Sequence, residues 1–157
     1  MARALRIEYE GAFYHVTTRG NERKKIFFTA RDYDKFKEYV FQAQQKFHFI
    51  LHGYVLMTNH YHLLIETPEK NLQRVMHYIN SSYSTYTNTK RDRSGHLFQG
   101  RYNAIIVDKD SYLLELSKYI HLNPDTGEGD AHAFHAFPLV ANVRSGGMVM
   151  SCHAKPE

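Results

Sequence analysis

The sequence predicts an α+β fold: a ferredoxin-like (RRM-like) antiparallel four-stranded sheet with helices packed on it and an added C-terminal helix. Three observations point there. Segments of strand and helix character follow one another in the order β-α-β-β-α-β-α. Only Thr58-Asn59 separates the two middle strands, so they must be antiparallel neighbours. Each helical segment gathers its apolar residues on one stripe, as packing on a sheet requires.

The elements follow in order. Ala12 to Thr18, AFYHVTT, alternates as a strand and ends at the turn signal Arg19-Gly20-Asn21; the basic loop Arg23-Lys24-Lys25 comes next. Thr29 offers an N-cap with Asp32 at N3, and Tyr33, Phe36, Tyr39, Val40, Ala43 and Phe47 recur at helical spacing, which predicts a helix over 30–47. His48 to Met57 reads as a largely buried strand and His60 to Glu66 as its hairpin partner. Asn71 starts a second helix, carried by Leu72, Val75, Met76, Ile79, Tyr83 and Tyr86 to about Thr89, and Lys90 to Gly95 breaks it as a second basic loop. Phe98 to Val107 is the fourth strand. Ser111 or Asp110 caps a third helix with Leu113, Leu114, Leu116 and Ile120 on its core face, and Pro124 ends it, because the residue before proline disfavours helical geometry. Residues 125–157 keep no sustained period and are expected to form an atypical, poorly ordered tail to the domain at 1–124.

A chain of 157 residues suits one domain. Its single Cys, Cys152, excludes a disulfide framework and a Cys-based zinc cage. The opening MARALRIEYEGAFYH contains no apolar stretch of the secretory kind, and no run approaches the roughly 20 apolar residues of a membrane span. A cytoplasmic protein with no membrane partner is the expectation. The net charge of +4 is unevenly placed. Residues 1–123 hold 18 basic and 12 acidic side chains, a net of +6, whereas Arg144 and Lys155 face Asp125, Glu128, Asp130 and Glu157 in the remainder, a net of −2. All 12 tyrosines fall in the basic part. A basic, tyrosine-rich body suits a polyanion whose bases stack on aromatic faces.

His60 and His62, at i and i+2 on a strand, project from one face and can share a metal ion. Tyr119 and Asn123, four apart on the third helix, share a helical face opposite the Leu/Ile stripe. Asn123 offers a hard oxygen ligand. Tyr119 offers a phenol able to attack phosphorus and hold the product as a phosphotyrosine ester, provided a divalent ion assists a hydroxyl whose pKa is ordinarily near 10. Tyr112, two turns earlier, is a rival that spacing alone leaves open. In the tail, His132 and His135 lack companions for a ligand set.

On GAFYHVTTRGNER (11–23), HGYVLMTNHYHLLIETP (52–68), RSGHLFQGRY (93–102) and LLELSKYIHLNP (113–124), the chain resembles the single-tyrosine HUH transposases of bacterial insertion sequences, most closely their REP-associated tyrosine transposase branch. The resemblance implies that His60 and His62 are the metal ligands, with Tyr61 as the hydrophobic residue between them, that Asn123 is the third ligand, and that Tyr119 is the nucleophile. It implies Mg²⁺- or Mn²⁺-dependent cleavage and rejoining of single-stranded DNA near a hairpin. Contacts to DNA would come from Arg3, Arg6, Arg19, Arg23, Lys24, Lys25, Arg91, Arg93, His96 and Arg101. Members of the family act as homodimers that exchange the tyrosine helix, or as monomers. Past Pro124 the resemblance stops, since relatives continue with a basic, aromatic stretch and this chain with DTGEGDAHAFHAF. Two other readings compete: a non-catalytic single-strand binder using an RRM-like sheet, and a zinc hydrolase using the two histidines and a water. The hydrolase would need a carboxylate base, for which Glu66 is nearest, four residues from His62.

Overall fold

The computed structural model of the protein describes residues 7–107 in full and His132–Ala136 in backbone. The third helix, with Tyr112, Tyr119 and Asn123, lies outside the described residues, as do Arg3 and Arg6. Strands β1 (Ala12–Arg19), β2 (Ile50–Met57), β3 (His60–Thr67), β4 (Asn103–Ile106) and β5 (His132–Ala136) form one antiparallel sheet in the order β4-β1-β3-β2-β5, with helices α1 (Ala30–Phe47) and α2 (Leu72–Lys90) in the connections. The first four strands follow the split-βαβ order predicted from the sequence. At His132–Ala136 the backbone pairs with β2 where side-chain periodicity gives no sign of a strand. Such pairing needs only backbone donors and acceptors, and β2 presents them along what is otherwise a sheet edge.

Alternation along the strands separates two faces. Tyr14, Val16, Leu56, Tyr61, Leu63 and Ile65 are buried in one core with Phe36 and Val40 of α1 and Leu72, Val75, Met76, Ile79 and Tyr83 of α2. His15, Thr17, Arg19, His60 and His62 occupy the alternate positions and are half-buried or exposed. A bulge at Leu51–Gly53 lets His52 join this second face, where it stacks on Phe13 and its Nε2 lies 2.8 Å from Glu66 Oε2.

Local signals set most of the boundaries. The first helix begins after the Thr29 cap, with Asp32 Oδ2 accepting the Thr29 and Phe28 N–H groups, and ends at His48, whose φ of +54° is left-handed and cannot continue a helix. His48 therefore caps α1 instead of opening β2. The fourth strand is also shorter than the sequence suggests. Phe98 makes only an isolated bridge to Gly20, and Gly100, at φ +70°, turns the chain before Asn103 rejoins the sheet. At the end of β1, a Cβ on Gly20 would sit 2.1 Å from the Lys24 carbonyl oxygen, so only glycine lets the turn at Asn21–Arg23 fold back so closely.

Asp32 ties the helices together. Its side chain, 3% exposed, accepts Lys90 Nζ at 2.6 Å, Tyr86 Oη at 3.1 Å and Arg91 at 3.3 Å besides the two cap N–H groups. Burial alone would push the carboxyl up; Lys90, the Phe28 N–H and Tyr86 outweigh it and hold the pKa at about 2. Asp32→Ala is expected to cost about 2–4 kcal/mol at pH 7 in urea unfolding, because cap bonds and a buried charge partner go together. The depressed pKa fixes the sign: the contribution is complete above the unfolded carboxylate pKa near 4 and is lost as pH falls through about 2. The parent and variant curves should therefore converge between about pH 5 and pH 2, and a gap independent of pH would contradict the ionic account.

Candidate active site

The turn at Thr58-Asn59 delivers His60 and His62 to the open face of the sheet. Antiparallel register sets Arg19 opposite His60, Thr17 opposite His62 and Asn103 beyond Thr17. Thr17, Arg19, Arg23, Asn59, His60, His62, Gln99, Arg101 and Asn103 line an open cleft of about 690 Å³. The two imidazole centroids are 5.1 Å apart.

Each ring has its Nδ1 engaged. His60 Nδ1 lies 2.6 Å from Asn59 Oδ1, and His62 Nδ1 lies 2.8 Å from His15 Nε2, the rings of His15 and His62 being stacked at 15°. Nε2 is the remaining ring nitrogen in both. Burial, helped by the neighbouring imidazoles, lowers the His62 pKa to about 4; burial and then the Arg19 charge lower that of His60. Both shifts favour the neutral imidazole, the form that binds a metal ion. Two neutral imidazoles with tethered Nδ1 atoms suit a divalent ion, and no cluster of three or more His, Cys, Asp or Glu side chains placed to hold a metal occurs among the described residues.

Three guanidinium groups surround the histidines. Arg19 is held in place by Gln99, whose Oε1 accepts Nε at 3.1 Å and a terminal nitrogen at 2.8 Å; Arg23 and Arg101 are exposed at the cleft wall. The segment bearing Gln99 is fixed by backbone bonds from Gln99 N to Arg19 O and from Asn21 N to Leu97 O. A fixed guanidinium with two exposed ones beside it forms a surface complementary to a phosphodiester.

The other sequence-predicted contacts are dispersed. Lys24 pairs with Glu22, Lys25 and His96 are exposed, and Arg93 is half-buried. Arg91 is committed inward, to Asp32 and to the face of Phe28 at 3.6 Å. Glu66 sits against His52, a bulge away from the two histidines, so the carboxylate that a zinc hydrolase would need is already engaged. Tyr61, between the two histidines in sequence, is on the opposite face: it is 0% exposed, its hydroxyl donates to Asn80 Oδ1 at 2.5 Å, and burial pushes its pKa up. The sequence reading does not single out His15, Asn59, Gln99 or Asn103. Alternation in AFYHVTT separates His15 from the buried Val16, but which residues it meets depends on register.

Residues 8–123 match the family model described as transposase IS200-like. The chain belongs to the IS200-like transposase family. Solved structures agree on the fold of this IS200-like transposase. A REP-associated tyrosine transposase bound to a REP hairpin superposes with a TM-score of 0.65 at 16% identity, covering 79% of this chain and 73% of that one. A crystal structure of a putative transposase from Deinococcus radiodurans R1 superposes with a TM-score of 0.53 at 16% identity, covering 78% and 97%. No curated protein matches this IS200-like transposase. Among its described residues, no helix is long and apolar enough to cross a membrane.

Proposed function

We propose that the chain is a DNA strand transferase of transposition, working in the cytoplasm on single-stranded DNA beside hairpins through a covalent 5′-phosphotyrosine at Tyr119. The observation that carries this reading is the convergence of His60 and His62 with Arg19, Arg23 and Arg101 on one cleft of a transposase-family chain. His60, His62 and Asn123 would hold Mg²⁺ or Mn²⁺. When bound, the ion polarises the scissile phosphate and stabilises the departing oxygen. The guanidinium groups bind and orient the sugar–phosphate backbone. The Tyr119 phenol gives up its proton and its oxygen bonds to phosphorus; the bond from phosphorus to the 3′ oxygen breaks, and that oxygen leaves as a protonated 3′-OH. Rejoining reverses the exchange with a new 3′-OH. One phosphodiester replaces another, so no nucleotide triphosphate is consumed. The hairpin finds support in the similar transposase solved on a REP hairpin.

The test uses hairpin-flanked single strands with Mn²⁺. The tyrosine keeps the downstream fragment, so 3′-labelled strands should give a protein adduct in denaturing gels and 5′-labelled strands a shortened free fragment. An adduct carrying the 5′ label, or cleavage unaffected by chelator, would overturn the reading. Loss of chelator-sensitive ion binding with persistent single-strand affinity would favour the non-catalytic binder.

Electrostatic contact gives a second expected result. Arg101→Ala should weaken single-strand binding across sequences and flatten the dependence of log affinity on log salt by about 0.7 for each phosphate no longer neutralised. Lys24→Ala, which removes a cation already paired with Glu22, should leave the slope at the parental value. Fluorescence anisotropy between roughly 50 and 200 mM salt reads both; equal slopes for parent and Arg101→Ala would remove Arg101 from the contact surface.

A further inference from the structure

We infer that Asn59 and His15 are positioning residues, Asn59 holding His60 in the tautomer whose Nε2 is bare and His15 accepting from His62 once an ion takes the His62 Nε2, an inference that rests on reading His60 and His62 as metal ligands. A neutral imidazole carries one N–H and one lone pair, on different nitrogens. A metal takes the lone pair, so whatever fixes the proton on Nδ1 prepares Nε2 for binding.

For His60 the assignment follows from its partner. Asn59 Oδ1, 2.6 Å from His60 Nδ1, can only accept, so Nδ1 carries the proton and Nε2 the lone pair. The amide is itself oriented, because Asn59 Nδ2 donates to the Arg23 carbonyl at 3.3 Å, a contact that the flipped amide could not make. The backbone beneath it is pinned too: Asn59 O accepts Gly20 N–H at 2.8 Å, and Thr58 O accepts the Ile26 and Phe27 N–H groups at 2.8 and 3.0 Å. Asn59 is thus a fixed acceptor on a rigid turn.

His62 meets a partner of either polarity. Its Nδ1 lies 2.8 Å from His15 Nε2, and one nitrogen must donate to the other. If His15 donates, the His62 proton sits on Nε2 and the ligand position is blocked. If His62 donates, Nε2 is bare and the His15 proton sits on Nδ1. Metal binding selects the second arrangement, with His15 as acceptor. The near-parallel stack and the anchoring of Tyr14 and Val16 in the core keep His15 from turning away. The contact is the diagonal one of an antiparallel pair, since Thr17 faces His62 directly and His15 faces Leu64. His60 is therefore preorganised by an acceptor of fixed sense, whereas His62 is held in place by a partner whose acceptor role the ion selects.

The test measures Mn²⁺ affinity of the full chain without DNA, by paramagnetic resonance of the free ion, with thermal unfolding as the check on folding. His15→Phe keeps the ring stack and removes the acceptor; it should weaken Mn²⁺ binding by about 10–100-fold with an unchanged unfolding midpoint. His15→Gln restores an acceptor and should recover most of the affinity. Asn59→Leu should lose affinity comparably and Asn59→Asp should bind at least as tightly as the parent. Long-range nitrogen–proton spectra of ring-labelled protein without metal give a second readout, with His60 expected as the Nδ1–H tautomer. Parental Mn²⁺ affinity in His15→Phe, equal affinities in His15→Phe and His15→Gln, or His60 protonated at Nε2 would overturn the positioning role while leaving the metal reading intact. A parent that binds no Mn²⁺ would overturn the metal reading itself, and the inference with it.

Discussion

Tyr119→Phe is expected to abolish the covalent protein–DNA adduct, leaving no band on 3′-labelled strands where the parent gives one. The substitution removes a single oxygen, and with it the atom that must bond to phosphorus. Nothing supplied in solution replaces it, because water attack yields free ends instead of an adduct. Other tyrosines serve as controls. Tyr61 is adjacent to both histidines in sequence but faces the helices, fully buried and donating to Asn80. Tyr61→Phe should keep the adduct while losing about 1 kcal/mol of stability with that hydrogen bond. Tyr112→Phe completes the set: loss of the adduct there and its survival in Tyr119→Phe would transfer the nucleophilic role to Tyr112. Single-strand affinity should be nearly unchanged in all three, so the loss reads as chemistry and not as binding.

His62→Ala is expected to lower the cleavage rate roughly a thousandfold, corresponding to about 4 kcal/mol of lost transition-state charge stabilisation. Binding of single strands should change only a few-fold, since the Arg19, Arg23 and Arg101 cations that line the cleft remain. His60→Ala should behave likewise. Both histidines stand on the open face, outside the core, so the unfolding midpoint should fall by no more than a few degrees. Single-turnover cleavage at saturating DNA separates the two effects. A rate within tenfold of the parent in either variant, at Mn²⁺ levels that saturate the parent, would take that histidine out of the metal site.

From β1 to α2 the elements were legible because their signals are local, whereas the pairing of His132–Ala136 with β2 left no mark in the side-chain pattern. Thr29 with Asp32 marked the start of α1, and the first helix covers residues 30–47 as the stripe predicted. Asn71 and the Leu72-to-Tyr86 stripe marked α2, and Thr58-Asn59 proved a two-residue turn between β2 and β3. Where a local reading missed, a left-handed residue was responsible: His48, whose residue type does not mark it, delays β2, and Gly100 interrupts the run from Phe98 to Val107. The fate of Arg91 was equally hidden. In sequence it belongs to a basic loop; in the fold it bonds to Asp32, 59 positions away.

By itself the sequence determined the order of the strands and helices from β1 to β4, the membership of residues 8–123 in a transposase family, and the placing of His60 and His62 on one face, because an extended chain repeats every two residues. Only the tertiary structure decided what those histidines meet. Register between β1 and β3 is fixed by packing the whole buried face at once, and a slip of one residue would reverse every side chain. That register sets Arg19 opposite His60 and brings His15 within hydrogen-bonding distance of His62, 47 positions apart. A hydrogen bond across such a separation is not encoded in either segment, which is why the paired histidines were visible in the sequence and the residues that contact them were not.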